Sequence, residues 1–267
     1  MRQHHGYALE LTDNSKTGWA FSLSRNDSCI NATQICKKLC YGNGIRYRSD
    51  AQRQKRKRNF RTVEFLLDSG GPELLAENLI ALIDQSRPAD WLAAKICGEP
   101  TSLPWSIRVH DVGDFHSVRY IKAWQIAILQ RPKCKFWFYT RSFVEAPMQA
   151  ALAELASLPN CSGLLSIDSE NFEQGLLVYA KYPGVFKLAL LQEHERALDA
   201  GLLPAIKRQV TAGQIVNFPY HHGAKHVPAV SVEGLTNCPQ IVSSALPLQS
   251  ARHLPKPCQT CAFCLPV

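Results

Sequence analysis

Long apolar runs are missing from this 267-residue chain, and none approaches the roughly 18 residues that a transmembrane helix requires. The amino-terminal segment MRQHHGYALE has no apolar stretch of the kind found in secretory signals. The segment NSKTG, residues 14–18, lacks the upstream glycine of a phosphate-binding P-loop. We therefore expect a cytoplasmic protein with no membrane partner and no nucleotide site of the P-loop type.

Cysteine, by contrast, is plentiful. The chain has ten cysteines, and in a reducing compartment such thiols serve metal or redox chemistry more often than a disulfide framework. Hydrophobic residues make up 46% of the chain, which is enough for one large domain, with or without an appendage. The composition favours a globular protein that uses cysteines for metal binding or redox reactions.

Positive charge is concentrated in one segment. The formal net charge is +8, and residues 46–61 hold eight basic side chains against one acid, Asp50. Such a segment attracts nucleic acid or nucleotide phosphates, and the alternative is a solvated helix or loop face. The residues predicted to contact nucleic acid are Arg53, Lys55, Arg56, Lys57 and Arg58.

A β-rich run, a polar tip and an amphipathic helix recur along the chain about every 25–30 residues. The β-rich runs from residue 104 onward are WSIRVHDVGDF, KCKFWFYTRS, GLLSIDSE, VFKLALLQEHE and GQIVNFPYHH. Upstream, TGWAFSLSR predicts a first strand, and residues 72–85 predict a long helix. These units predict an α/β fold with a parallel sheet, and six strands suffice for a partial barrel.

Each predicted strand ends in polar residues. In parallel β/α folds, functional groups lie on the loops at the carboxyl ends of the strands. Asp114 is either a turn residue or a ligand of a cofactor, and Tyr139 with Arg141 offers a stacking ring and an anion clamp, or simply packing. The other strand-end residues are His110, Asp111, Asp168, Ser169, Glu170, Glu193, His194, Glu195, His221 and His222.

Two groups of cysteines have spacings typical of metal ligands. Cys29, Cys36 and Cys40 follow the first predicted strand, and three thiolates leave a coordination position open. The second group supplies four thiolates, a full set for a [4Fe–4S] cluster or a structural zinc ion. Its members are Cys238, Cys258, Cys261 and Cys264. The isolated Cys134 and Cys161 are interpreted as small buried hydrophobic residues.

The three-cysteine loop after the first strand of a partial barrel resembles the radical S-adenosylmethionine enzymes. In those enzymes three cysteines hold a [4Fe–4S] cluster, and a glycine-containing segment contacts the cofactor. The resemblance implies this second role for Gly113 and Asp114 in the segment VGDF. The spacing here is six and then three residues, whereas that family has three and then two.

A resemblance that covers nearly the whole chain is to the gene-product-88-like proteins of phages, plasmids and related mobile elements. It is carried by the Cys29, Cys36 and Cys40 loop, which Tyr41 follows, and by five further blocks in the same order. These blocks are NSKTG, RVHDVGDF, YIKAW, FWFYTRS and CQTCAFC. This resemblance implies a family and no particular reaction.

The sequence thus predicts a partial parallel β/α barrel of radical S-adenosylmethionine type over residues 1–236, with a cysteine-rich, metal-binding extension over 237–267. The predicted function is an enzyme that holds one or two [4Fe–4S] clusters and binds S-adenosylmethionine, with an electron donor protein as partner and a substrate near Asp114, Tyr139 and Arg141. The alternative is a non-catalytic nucleic-acid-binding protein that zinc or clusters stabilise.

Overall fold

The strands of the chain form one large sheet, and helices cover one of its faces. The structure is a computed structural model that describes residues 8–44, 47–87, 105–193, 204, 206, 210, 213–219, 221–222, 225–226, 235–238 and 256–266. Within these residues the fold is mixed α/β, with an eight-stranded sheet that does not close into a barrel. None of the described helices is both long enough and apolar enough to cross a membrane.

The strands of the sheet lie side by side in the order in which they occur along the chain. The first two, β1 and β2, pair antiparallel, and every later pair is parallel. A two-stranded antiparallel ribbon, β8 with β9, lies apart from the sheet. The strands are β1 Leu11–Asn14, β2 Gly18–Phe21, β3 Ser106–Val109, β4 Lys135–Thr140, β5 Cys161–Ile167, β6 Phe186–Gln192, β7 Ile215–Pro219, β8 His221–His222, β9 Lys225–His226 and β10 Leu235–Asn237.

Seven α-helices are described, and most have a recognisable start signal. Thr33, Ser49 and Ser117 cap the amino termini of α2, α3 and α4 through their side chains. The helices are α1 Arg25–Ser28, α2 Gln34–Leu39, α3 Asp50–Gln85, α4 Val118–Leu129, α5 Ala146–Ala156, α6 Phe172–Lys181 and α7 Pro257–Cys261.

Helix α3 is much longer than the predicted helix over residues 72–85. It begins at Asp50 and is interrupted by non-helical backbone at Gly70 and Gly71, directly before Pro72. Pro72 cannot donate a backbone hydrogen bond and is tolerated in the first turn of a helix, so the sequence predicts a helix start there. Gly71 has a φ of 72°, which glycine adopts without strain. The structure instead has two helical halves joined at a kink.

One face of the sheet, here called the helix face, is covered by α3 to α6. Apolar side chains of the strands, such as Phe136 and Phe138, pack there against Trp124 and Leu152 from the helices. Successive parallel strands with right-handed crossovers place their helices on the same side, which explains this one-sided layer. The predicted apolar stripes of α4, α5 and α6 are confirmed, and Cys134 and Cys161 are buried in this core.

The opposite face of the sheet, here called the site face, is more polar and is contacted by the carboxyl-terminal segment. Its apolar centre contains Leu164, Ala189 and Val216, which pack with Cys238 and Cys264. The side chains of Lys135 and Lys187 donate hydrogen bonds to the backbone oxygens of residues 266 and 263, at 2.9 and 2.6 Å. Residues 256–266 are therefore tied to the sheet.

The predicted α/β class with a parallel sheet is confirmed. The sheet has two more strands than predicted, β1 and β10, and these form its free edges. The radical S-adenosylmethionine type of barrel and the division at residue 237 stay predictions. Several predicted features lie outside the described residues: Cys97, His194, Glu195, most of the helix predicted over residues 196–208, and the side chains of His221 and His222.

Candidate metal centres

The three cysteines of the N-terminal thiol group, Cys29, Cys36 and Cys40, lie in the connection that follows β2. Cys29 comes directly after α1, Cys36 lies inside α2, and Cys40 ends α2. All three side chains are half-buried free thiols. The three thiols thus lie within one twelve-residue segment that contains two short helices. This segment lies next to the carboxyl ends of the parallel strands.

A buried ion pair fixes this loop to the sheet. Arg141 Nη1 lies 2.7 Å from Asp168 Oδ2, and both side chains are almost fully buried. The same carboxylate oxygen accepts a hydrogen bond from the Thr33 hydroxyl at 2.6 Å. Thr33 Oγ1 in turn accepts from the backbone N–H of Cys36 at 3.0 Å. The position of Cys36 therefore depends on a contact between residues that are 135 positions apart in the chain.

Asp114 organises the neighbouring strand ends. Its Oδ1 accepts hydrogen bonds from the Thr140 hydroxyl at 2.7 Å and the backbone N–H of Phe115 at 2.8 Å, and its Oδ2 accepts from the backbone N–H of Arg141 at 2.8 Å. Burial raises the pKa of Asp114 to about 6, although these hydrogen bonds act in the opposite direction. The carboxyl group is a buried anchor for the turn that presents Arg141.

Gly113 brings Asp114 close to the thiol loop. Its φ is 103°, and a Cβ at this position would lie 2.8 Å from Leu23 Cβ and 3.0 Å from Ser28 Oγ. Only glycine tolerates both the backbone conformation and the close approach. Gly113 therefore contacts the residues that lead into Cys29, which is a positioning contact beside the predicted cofactor site.

The three thiols influence one another electrostatically. Burial raises the pKa of the Cys29 thiol, and the nearby Asp114, Cys36 and Cys40 raise it further. Burial also raises the pKa of Cys36, but the Arg141 guanidinium lowers it through its charge and a hydrogen bond. Since burial and nearby negative charge disfavour the thiolate form, Cys29 and Cys36 favour the protonated form until a cation binds.

The C-terminal thiol group, Cys238, Cys258, Cys261 and Cys264, gathers on the site face. Three of its members lie on or beside α7, and Cys238 follows β10. Burial raises the pKa of Cys258, and its neighbours Cys238 and Cys261 raise it further. Burial raises the pKa of Cys264 to about 12, and Cys258 and Cys238 contribute. Thiols from two distant segments of the sequence therefore influence one another electrostatically, and their role as ligands of one centre stays a prediction.

The segment NSKTG contacts α7, the helix that carries Cys258 and Cys261 of the C-terminal thiol group. The Asn14 side chain accepts hydrogen bonds from the backbone N–H groups of Lys16 and Thr17 and so forms the turn between β1 and β2. The carbonyl of Lys16 accepts from the backbone N–H of Cys258 at 3.0 Å. A Cβ on Gly18 would lie 3.1 Å from the Gln259 side chain. This turn is a docking point for α7.

A chain of contacts runs between the two thiol groups across the site face. The Tyr139 hydroxyl donates to Cys264 Sγ at 2.9 Å, and the Arg108 guanidinium lies 4.7 Å from the centre of the Tyr139 ring. Arg108 pairs with Asp111 at 3.5 Å, and Asp111 accepts from the Tyr47 hydroxyl at 3.0 Å. Finally, Arg56 donates to the backbone oxygen of Tyr47 at 2.8 Å and interacts electrostatically with Cys40.

Tyr139 and Arg141 belong to different centres. Two residues apart on a strand would share a face, but β4 ends at Thr140, and Arg141 has φ −111° and ψ −2°. Tyr139 therefore contacts the C-terminal thiol group, and Arg141 contacts the N-terminal one. The prediction of one substrate site formed by both side chains is not matched by this geometry.

The thiols are not yet assembled around a common point. In the described part of the chain, no three histidine, cysteine, aspartate or glutamate side chains are arranged to hold a metal ion. The donor chemistry nevertheless fits, because the groups supply three and four thiols and Arg141 compensates thiolate charge beside Cys36.

The predicted nucleic-acid-binding residues do not form one surface. Arg56 is buried, with its guanidinium turned inward to Tyr47, so it is not available to a nucleic acid. Lys55 is half-buried and, like Arg58, pairs with Glu10. Arg53, Lys57, Arg58 and Arg61 are exposed. The helical period separates these side chains, which the linear sequence shows as one run.

Sequence reasoning missed several residues of the centres. Four residues contact the cysteine loop or the polar residues at the strand ends, although none of them lies in a metal-ligand pattern. They are Asn14, Thr33, Tyr47 and Arg108. The signal available for Thr33 was its position as an N-cap, three residues before Cys36. For Asn14 and Arg108 the blocks NSKTG and RVHDVGDF were the available signals, without a stated role, and Tyr47 lies in neither block.

Comparison with known proteins identifies the family. A family model described as gene product 88 matches residues 3–266, so the chain belongs to the gene product 88 family. The gene 88 protein of Mycobacterium phage L5 is 29% identical over 151 residues, which are 55% of this chain and 54% of that protein. The gene 88 protein of Mycobacterium phage D29 is 29% identical over 146 residues, again 55% and 54%. The matched region thus spans about half of each relative. No solved structure matches the chain.

Proposed function

We propose that the chain is an iron–sulfur protein whose N-terminal thiol group holds a [4Fe–4S] cluster with one open iron. The observation that carries this proposal is that Cys29, Cys36 and Cys40 lie in one loop that is held at the carboxyl ends of the parallel strands. Thr33 and Ser28 of this loop hydrogen-bond with Asp168 and with the backbone of Asp114. Three thiolates cannot complete the coordination of four irons, so one iron stays accessible to a ligand.

The specific reaction that we propose is of the radical S-adenosylmethionine type, with the open sheet acting as a partial barrel of that type. Cys29, Cys36 and Cys40 would hold the cluster, which would supply the electron, received from a donor protein, for reductive cleavage of S-adenosylmethionine to methionine and a 5′-deoxyadenosyl radical. That radical would take a hydrogen atom from the substrate, giving 5′-deoxyadenosine and a substrate radical that goes on to product. Arg141 stabilises the thiolate of Cys36, and Asp114 holds the Arg141 turn in place.

The C-terminal thiol group is proposed as a second, closed centre. Three closely spaced cysteines with a distant fourth is the ligand pattern of ferredoxin-type [4Fe–4S] sites, and Cys258, Cys261 and Cys264 with Cys238 follow it. A zinc ion is the alternative occupant, because four thiolates also complete a structural zinc site. The contact chain through Tyr139 and Arg108 favours a cluster that exchanges electrons with the first centre.

The test is the cleavage of S-adenosylmethionine by anaerobically reconstituted protein. With dithionite as reductant, the wild-type chain is expected to form 5′-deoxyadenosine, measured by chromatography, because the open iron binds the cofactor. Cys36→Ser should abolish this product. Cys134→Ala should retain it, because Cys134 lies in the helix-face core and belongs to neither thiol group. A cluster-loaded wild-type sample that forms no 5′-deoxyadenosine would contradict the proposed reaction.

The second candidate function is non-catalytic nucleic-acid binding, with metal serving only to stabilise the fold. The exposed row Arg53, Lys57 and Arg61 on α3 favours it, since residues at i, i+4 and i+8 share one helix face. With zinc as the stabilising metal, this candidate predicts a colourless protein that lacks sulfide. Iron together with acid-labile sulfide would exclude its zinc form, and formation of 5′-deoxyadenosine would exclude its form with a structural cluster.

A further inference from the structure

Exposed cations lie on the segments that carry and adjoin the N-terminal thiol group. Lys37 and Lys38 directly follow Cys36 on α2, and Arg25 and Arg48 lie on the adjoining segments. With the exposed cations of α3 they form what is here called the cationic strip: Arg25, Lys37, Lys38, Arg48, Arg53, Lys57, Arg58 and Arg61, all of them exposed. The strip is made largely of residues outside the predicted nucleic-acid-binding set.

Asn43 holds the first part of the strip together. Its side-chain oxygen accepts from the Arg25 guanidinium, its backbone oxygen accepts from Arg48 Nε at 2.5 Å, and its side-chain N–H donates to the backbone oxygen of Lys37 at 3.3 Å. Because Asn43 is three residues beyond Cys40, its contacts hold the guanidinium groups of Arg25 and Arg48 close to the thiol loop, while its contact with residue 37 is to the backbone.

The second part of the strip continues along α3. Arg53, Lys57 and Arg61 span eight residues, which is about 12 Å of helix. Phosphates of one strand recur about every 3.4 Å along duplex DNA, so this row alone matches about three to four phosphates. The nearby acids Asp50 and Glu10 are engaged with Arg53 and Arg58. Asp27 on α1 and Glu170, which accepts from the backbone N–H of Gln34 at 2.7 Å, are further exposed acids of this region. Positive charge therefore dominates the strip.

We propose that the cationic strip binds the phosphate backbone of a nucleic acid and thereby places a nucleotide over Cys29, Cys36 and Cys40. The inference rests on the proposed function in one respect: it names nucleic acid as the substrate class of that centre. The binding itself requires only the exposed charges and so is independent of whether a cluster is present. Phosphate contacts position the strand and carry little sequence preference.

Salt dependence measures this binding. Each neutralised phosphate contributes about 0.9 to the slope of log K against log salt concentration for duplex DNA, and about 0.7 for single strands. The double substitution Lys37→Gln with Lys38→Gln should therefore reduce the slope by about 1.8 with duplex DNA, or about 1.4 with single strands. Fluorescence anisotropy with labelled single-stranded DNA, duplex DNA and RNA of equal length shows which form is preferred.

The matched control is Lys133→Gln with Lys181→Gln. Both side chains are exposed, and the change in net charge is the same, but Lys133 precedes the amino end of β4 and Lys181 ends α6 on the helix face. Binding by this variant should keep the wild-type slope. A second strip variant, Arg53→Gln with Lys57→Gln, should behave like the first.

Two results would overturn the proposal: no salt-dependent binding of any of the three nucleic acids, or an equal loss of slope in the strip and control variants. Measuring both metal-free and cluster-loaded protein separates this test from that of the proposed function. Binding that persists in protein without iron, and that fails only in the strip variants, supports the strip even if no 5′-deoxyadenosine is ever formed. Cluster-loaded protein that cleaves S-adenosylmethionine but ignores nucleic acid supports the reaction and refutes the strip.

Discussion

The hydroxyl of Thr33 is predicted to fix the geometry of the N-terminal thiol group, and Thr33→Val tests this. Valine keeps the branched shape but removes two hydrogen bonds, one from the Cys36 backbone at 3.0 Å and one to Asp168 at 2.6 Å. Losing a helix N-cap costs about 1 kcal/mol, and losing a hydrogen bond to a charged group costs about 1.5–3 kcal/mol. Because Thr33 is half-buried, we expect a total loss of about 2–3 kcal/mol in the free energy of unfolding.

Urea unfolding of the metal-free protein measures this loss, and iron content after reconstitution measures its effect on the centre. Thr33→Ser is the matched variant, because it keeps the hydroxyl and should remain within about 1 kcal/mol of the wild type. The Val variant should also bind less iron than the Ser variant, since the backbone of Cys36 is no longer held. Equal stability and equal iron content in the two variants would refute the proposed anchoring.

Three further predictions concern protonation and docking. Burial raises the pKa of Asp114 to about 6 from 3.8, so its stabilising contribution is complete below pH 3.8 and is lost as the pH rises through about 6. The loss is about 3 kcal/mol, and urea unfolding at a series of pH values should show it in the wild type but not in Asp114→Asn. Burial also raises the pKa of Cys29 and Cys258, so these thiols must release protons when a metal ion binds. The affinity of the metal-free protein for zinc or cobalt should therefore rise about tenfold per pH unit for each proton released. An affinity that does not depend on pH would argue against thiolate ligands. Gly18→Ala should lower the free energy of unfolding by about 1–2 kcal/mol and weaken the docking of α7. The reason is that residue 18 has a φ of 76° and that the new Cβ would lie 3.1 Å from the Gln259 side chain. Unchanged metal content at the C-terminal thiol group would argue against this docking role.

The sheet was predictable where two periods alternate clearly. The strands around Phe136, Leu164 and Leu188 and the helices that follow Ser117 and Glu145 occur where the sequence places them, because buried strands and amphipathic helices have distinct patterns. The edge strands β1 and β10 are four and three residues long and contain no fully buried side chain, whereas the equally short β2 and β3 are mostly buried and apolar enough to be recognised. Only the second half of the kinked helix α3 was predicted. Its first half begins with a basic run whose apolar residues are too few to predict a helix.

The two cysteine groups could be recognised in the sequence, but the residues that contact them could not. Cysteine spacing marks the seven thiols as candidate ligands, since close spacing limits how far apart they can lie, and their role as ligands stays a prediction. The contact between Thr33 and Asp168 joins residues 135 positions apart, and no local pattern specifies such a pairing. Likewise, the separation of Tyr139 from Arg141 depends on where β4 ends, because one residue beyond the strand is enough to turn a side chain to another centre.

The metal content of anaerobically purified and reconstituted protein tests the central claim most directly. Iron and acid-labile sulfide should be present in the wild-type chain and should fall in a variant with Cys29, Cys36 and Cys40 changed to serine. Changing Cys258, Cys261 and Cys264 to serine should leave the iron of the N-terminal group in place, because its ligands come from a different segment of the chain. A protein that contains zinc without iron, or whose iron content is unaffected when the three N-terminal cysteines are replaced, would contradict an open iron–sulfur centre at this site.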